Sequence, residues 1–144
     1  MSAEAVPGMA AATRSRTSDF VALTKPRLNL LVVATTAGGY FMGAAPEVTA
    51  LGLLNVTLAT ALVAGGSAAF NQVMERKVDA LMDRTCRRPV AEGRLSPRDS
   101  LLFAAALSSA GLLWLALTTT VLASVVALVT LLTYVVLYTP LKLR

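Results

Sequence analysis

The chain has 144 residues, 56% of them hydrophobic, which is too apolar for an ordinary water-soluble domain with an apolar share of roughly 45–50%. Thirteen Lys and Arg against eight Asp and Glu give a net charge of +5, and there is one cysteine and no histidine. That composition points to a membrane protein, excludes an internal disulfide or a multi-cysteine metal site, and removes the commonest metal ligand and general base.

Residues 1–22 read as a disordered cytoplasmic tail, because 1–19 are rich in Ala, Ser, Thr and Arg and lack the apolar core of a signal peptide. The remainder, 23–144, reads as one helical unit. Leu23-Thr24-Lys25-Pro26-Arg27 marks a helix start, since proline suits a first turn whose N–H groups have no partner. Uncharged stretches at 28–45, 51–70, 101–117 and 121–138 each approach the ~20 residues needed to cross a bilayer. The second continues at helical spacing through Val73, Met74, Val78 and Met82, so a helix over 51–83 of about 50 Å is expected, its polar end emerging at the interface. Ser96 and Pro97 supply a cap and first turn for the third helix, over 98–117, and Thr118, Thr119 and Thr120 interrupt the apolar run before the fourth, over 121–138. The expected fold is an all-α membrane protein with four transmembrane helices.

All thirteen basic residues fall before the first uncharged stretch, between the second and third (51–70 and 101–117), or after the fourth. Because translocated Lys and Arg are disfavoured, both termini are expected in the cytoplasm, and the weak targeting signal favours a bacterial inner membrane over a mitochondrial one. Topology accounts for the basic charge, so no nucleic-acid partner is expected.

The stretch after the second apolar run is NQVMERKVDALMDRTCRRP, residues 71–89. Asn71, Glu75, Asp79 and Asp83 recur every four residues, so on a helix each is rotated by about 40° from the last and their oxygens share one drifting face. Mg²⁺ is usually held by one or two carboxylates together with phosphate oxygens, which Glu75 and Asp79 fit, while Asn71 adds a neutral carbonyl. Arg76, Lys77, Arg84 and Arg88 are placed to neutralise a diphosphate. Carboxylates and cations without histidine point to metal-assisted departure of diphosphate. A solvated helix end with i,i+4 ion pairs, ion binding and transport stay open on spacing alone. The small residues from Gly65 to Ala69 read either as tight helix packing or as room for a bulky ligand. Cys86 reads as a passive loop thiol.

The run Asn71-x-x-x-Glu75-x-x-x-Asp79, followed by Arg84-Thr85-x-x-Arg88-Pro89, resembles the first aspartate-rich motif of the UbiA family of intramembrane prenyltransferases. Most of that family has Asp where Glu75 stands. The stretches LTKPRLNLLVVATTAGGYF, residues 23–41, and NQVMERKVDALMDRT are similar to the haem-farnesylating branch, which accepts Glu there. Tyr138-x-x-x-Lys142 matches a further family motif.

The resemblance covers nearly all of 24–144. It implies the first half of a nine-helix all-α bundle, and hence an N-terminal part lacking the second aspartate-rich motif. It implies Mg²⁺ held by Asn71, Glu75 and Asp79, with Asp83 as an outlying ligand, and diphosphate contacts from Arg84, Arg88, Tyr138 and Lys142. The implied substrates are farnesyl diphosphate and haem B, joined at the haem 2-vinyl group. The small-residue face of helix 2 would shelter the farnesyl cation from water. Implied partners are membrane lipid and haem A synthase or oxidase-assembly proteins. Two rival readings are a family member with a 4-hydroxybenzoate or chlorophyll-type acceptor, and a small membrane binding or assembly protein without catalysis.

Overall fold

The computed structural model describes residues 15–44 and 46–142, and every regular element among them is helical. Residues 1–14 of the expected tail lie outside this range, but its last part is not disordered. Ser15 Oγ accepts from Ser18 N at 3.2 Å and caps α1, Arg16–Leu23. This helix is held by tertiary contacts that composition does not reveal: Asp19 is buried and pairs with Arg94, and Leu23 is wholly buried.

The chain turns at Thr24 and Lys25 into α2, Pro26–Gly43, with Pro26 in its first turn. The long helix α3, Ala50–Asp79, follows a Thr49 cap, and α4, Pro97–Thr118, follows a Ser96 cap. Thr120 caps α5, Val121–Leu132, which continues through a π-helical segment, Thr133–Tyr138, into α6, Thr139–Lys142. Pro140 accounts for the π segment: lacking an N–H and crowding the carbonyl four residues back, it favours a locally wider turn.

Three of these stretches, Ala50–Asp79, Pro97–Thr118 and Val121–Lys142, are long and apolar enough to cross a membrane, against the four expected. The helix that drops out is α2. Its 18 residues suffice in length, but Pro26, Arg27 and Asn29 open it and Thr35, Thr36, Gly38 and Gly39 dilute its apolar content.

The closest packing in the bundle is between α3 and α4, and its glycines explain it. A β-carbon added at Gly66 would lie 2.8 Å from Ala104 O, and one at Gly111 would lie 2.7 Å from Ala59 O. The two backbones therefore touch at these points, as small residues permit. Gly66 leaves no room for a ligand, which corrects the expectation that the whole small-residue face shelters one. Below the polar end, Leu23, Ala69, Val73, Val90, Leu95 and Ala104 form a buried cluster that fixes α1 and the loop after α3 against the bundle.

Candidate functional site

Helix α3 stops at Asp79, with Ala80 as its cap, so the four-residue repeat does not extend to Asp83 on the same helix. Asp83 and Arg84 lie in the following turns and are exposed, and the structure does not bring them to the acidic face. The turns that remove them deliver Arg88 instead. Thr85 is buried and its Oγ1 donates to Asp79 O at 3.0 Å, folding the loop back over the helix end.

Asn71, Glu75 and Asp79 stand on successive turns of α3, with only 2%, 4% and 4% of their surface exposed. Two buried carboxylates demand partners, and each has them. Arg88 Nη1 donates to Asp79 Oδ2 at 2.7 Å and lies 3.6 Å from Glu75 Oε2. Lys142 Nζ donates to Glu75 Oε1 at 3.0 Å, while Asn71 Nδ2 donates to Glu75 Oε2 at 3.0 Å. Thr139 Oγ1 lies 3.0 Å from both Asn71 Oδ1 and Tyr134 O, its single proton shared between the two acceptors. Tyr138 stands apart from these contacts: it is 53% exposed and stacks on Tyr134, ring centroids 5.3 Å apart.

Two residues of the site were not singled out from the sequence. Thr139 is fully buried and reaches Asn71 from the start of α6, directly after the π segment. Lys25 belongs to the α1–α2 corner, and Gln72, beside Asn71, holds that corner in place by donating from Nε2 to Leu23 O at 3.0 Å. Burial, and then the neighbouring Arg88, push the Lys25 ammonium below the usual lysine range, while Glu75 and Asp79 oppose that shift.

An apolar cavity of about 740 Å³ opens beside this cluster, between α2, α3 and α5. Thr24, Lys25, Asn29 and Ser67 line its polar end, and Val56, Leu115 and Thr120 lie toward the other. From Val56 to Ser67 it follows α3 for about 17 Å at 1.5 Å per residue. Its wall on α3 includes Ala64 and Ala68, turned away from the α4 contact made by Gly66.

Among the described residues no three Asp, Glu or Cys side chains converge on one point, so the protein alone offers no complete metal cage. The donor set fits Mg²⁺ in a different way. Two carboxylates and a carboxamide suit a cation that completes its shell with water and phosphate. Arg88 and Lys142 already neutralise the carboxylates, at 2.7 Å from Asp79 and 3.0 Å from Glu75.

The model of the UbiA prenyltransferase family matches residues 31–144. The chain is 44% identical over 128 residues to protoheme IX farnesyltransferase 1 of Pseudomonas putida strain W619, covering 89% of this chain and 43% of that protein. It is 45% identical over 127 residues to protoheme IX farnesyltransferase of Myxococcus xanthus strain DK1622, covering 88% and 43%. The chain thus spans less than half the length of these curated relatives. No solved structure matches it significantly.

Proposed function

Since the chain belongs to the UbiA prenyltransferase family and is a multi-pass integral membrane protein, we propose that it supplies the first diphosphate-binding motif of a haem-farnesylating enzyme. The reaction transfers farnesyl from farnesyl diphosphate to the 2-vinyl group of protohaem IX, haem B, and gives haem O. The observation that carries this reading is the buried Asn71–Glu75–Asp79 face, held by Arg88 and Lys142, at the polar end of an apolar cavity. The names of the relatives supply the acceptor.

In this reading Asn71, Glu75 and Asp79 would hold Mg²⁺, which would supply charge neutralisation for the departing diphosphate. Arg88 and Lys142 turn from the carboxylates to phosphate oxygens and orient the head group. The apolar cavity takes the extended farnesyl chain and excludes water from it. The C1–O bond breaks as diphosphate leaves, the vinyl carbon of haem bonds to C1, and water captures the resulting side-chain cation and releases a proton to solvent, leaving a hydroxyethylfarnesyl side chain. The basic loop between α3 and α4 faces the cytoplasm of a bacterial inner membrane, which places the acidic face at the end of α3 on the cytoplasmic side.

Full-length protein incubated with labelled farnesyl diphosphate, Mg²⁺ and either haem B or 4-hydroxybenzoate tests the assignment. Labelled haem O is the expected product. Label appearing only in the aromatic acid overturns the acceptor while keeping the family chemistry.

A further inference from the structure

We propose that Lys25 is the anion latch of this site, the ammonium that receives the diphosphate head while the prenyl chain enters the cavity behind it. The proposal rests on the reading that the site binds a prenyl diphosphate, and it adds a binding residue from a different part of the chain.

The backbone is the first argument. Lys25 has φ 47° and ψ 66°, and it is the only non-glycine residue with positive φ among those described. Helices commonly end on glycine or asparagine in this left-handed conformation, because a longer side chain brings its β-carbon against the backbone. Its amide still donates to Ala22 O at 3.3 Å, and its carbonyl accepts from Leu28 N and Asn29 N at 3.0 Å, so the corner is fully formed around a residue ill suited to it. Strain kept in this way is accounted for when the side chain has work to do.

The side chain is the second argument. Lys25 lines the polar end of the cavity within Coulombic reach of Arg88, Lys142, Glu75 and Asp79. Arg88 and Lys142 are bonded to carboxylates at 2.7 and 3.0 Å. Among the described residues Lys25 makes no side-chain hydrogen bond to a carboxylate, so its ammonium is available before any rearrangement. With both acids ionised and the three cations protonated, the cluster has two negative and three positive groups, and Lys25 is the surplus one. Beside an apolar cavity, that excess matches an anion carrying an apolar tail.

The test is calorimetric binding of inorganic pyrophosphate with Mg²⁺ to the full-length protein in lipid nanodiscs, together with thermal unfolding. Lys25→Gln weakens pyrophosphate about tenfold or more, the loss of one charge-assisted hydrogen bond, and Lys25→Arg retains most of the affinity. Lys25→Gly separates the two roles: it raises the unfolding temperature by relieving the left-handed strain, yet weakens pyrophosphate as Lys25→Gln does. Unchanged affinity in Lys25→Gln and Lys25→Gly, with affinity lost in Glu75→Gln and Asp79→Asn, overturns the latch and leaves the metal site standing. Unchanged affinity in all four variants overturns the diphosphate site itself.

Discussion

Lys142 on α6 places Nζ 3.0 Å from Oε1 of Glu75 on α3, joining the last described turn of the chain to the centre of the acidic face. The contact depends on the π segment, which sets the rotation of α6 about its axis. Glu75 is almost wholly buried whereas Lys142 is 55% exposed in its side chain, so the pair has one fixed end and one that can swing into solvent. That asymmetry suits a cation that moves from carboxylate to phosphate.

Removing Arg88 has a larger structural effect than removing Lys142. Arg88 is the 2.7 Å partner of buried Asp79 and is itself only 26% exposed, so Arg88→Gln leaves a buried charge and costs about 3 kcal/mol, while Lys142→Gln costs about 1 kcal/mol or less. On the proposed reading a divalent cation would bind the vacated carboxylates. Added Mg²⁺ should therefore raise the unfolding temperature of Arg88→Gln more than that of the unsubstituted protein, in a thermal scan with and without metal. Equal shifts contradict the arrangement.

Ala68 and Gly66 stand on different faces of α3, and substitutions there should separate binding from folding. Ala68 lines the cavity, so Ala68→Leu weakens farnesyl diphosphate while leaving inorganic pyrophosphate affinity unchanged. Gly66 meets Ala104 O, so Gly66→Leu forces α3 and α4 apart at a cost of about 1–3 kcal/mol or more and lowers the yield of folded protein. Comparing the two ligands for each variant checks both outcomes.

Thr139→Val removes the hydroxyl that reaches both Asn71 Oδ1 and Tyr134 O. The loss should be about 1 kcal/mol in stability, with a weaker metal site because Asn71 is no longer oriented. Thr139→Ser keeps the hydroxyl and should restore metal affinity, which titration with Mg²⁺ measures. Equal metal affinity in Thr139→Val and the unsubstituted protein contradicts the orienting role.

Pyrophosphate affinity should fall on the alkaline side earlier than an ordinary lysine allows. Burial and Arg88 lower the Lys25 pKa, and Lys142 adds to this, whereas Glu75 and Asp79 hold it up. Above that lowered pKa the amine is neutral and cannot pair with phosphate. The folded, ligand-free protein binds fewer protons than the unfolded chain between the lowered pKa and the usual lysine value. Its stability therefore rises with pH across that window even as affinity falls. Lys25→Arg should move the alkaline limb of the binding curve to higher pH; an unmoved limb assigns it to another group.

Much of the helical architecture was legible because apolar length and capping residues are local. Ser96-Pro97 starts a helix where its chemistry says it should, and the polar break at 118–120 separates α4 from α5. The four-residue recurrence also identified Asn71, Glu75 and Asp79 as sharing a face, and the structure buries all three. What the sequence could not place depended on where helices stop and how loops return. Asp83 continued the repeat on paper, but α3 ended at Asp79 and the loop returned Arg88 to the face while leaving Arg84 exposed. Helix α1 escaped notice because its anchor, Asp19 with Arg94, joins segments far apart in the chain. The position of Thr139 depends on a π segment that composition does not signal, and Lys25 reads in sequence only as the residue before a helix-starting proline, whereas its left-handed backbone and the cavity beside it are tertiary features.

The most direct test of the central claim uses Mn²⁺ as a paramagnetic stand-in for Mg²⁺ in the full-length protein with pyrophosphate. Pulsed electron paramagnetic resonance should show a protein-bound Mn²⁺ coupled to ³¹P, and both the bound metal and the coupling should be lost in Glu75→Ala and Asp79→Ala. A ³¹P-coupled, protein-bound Mn²⁺ that persists unchanged in both variants contradicts the assignment of this face as the diphosphate-metal site.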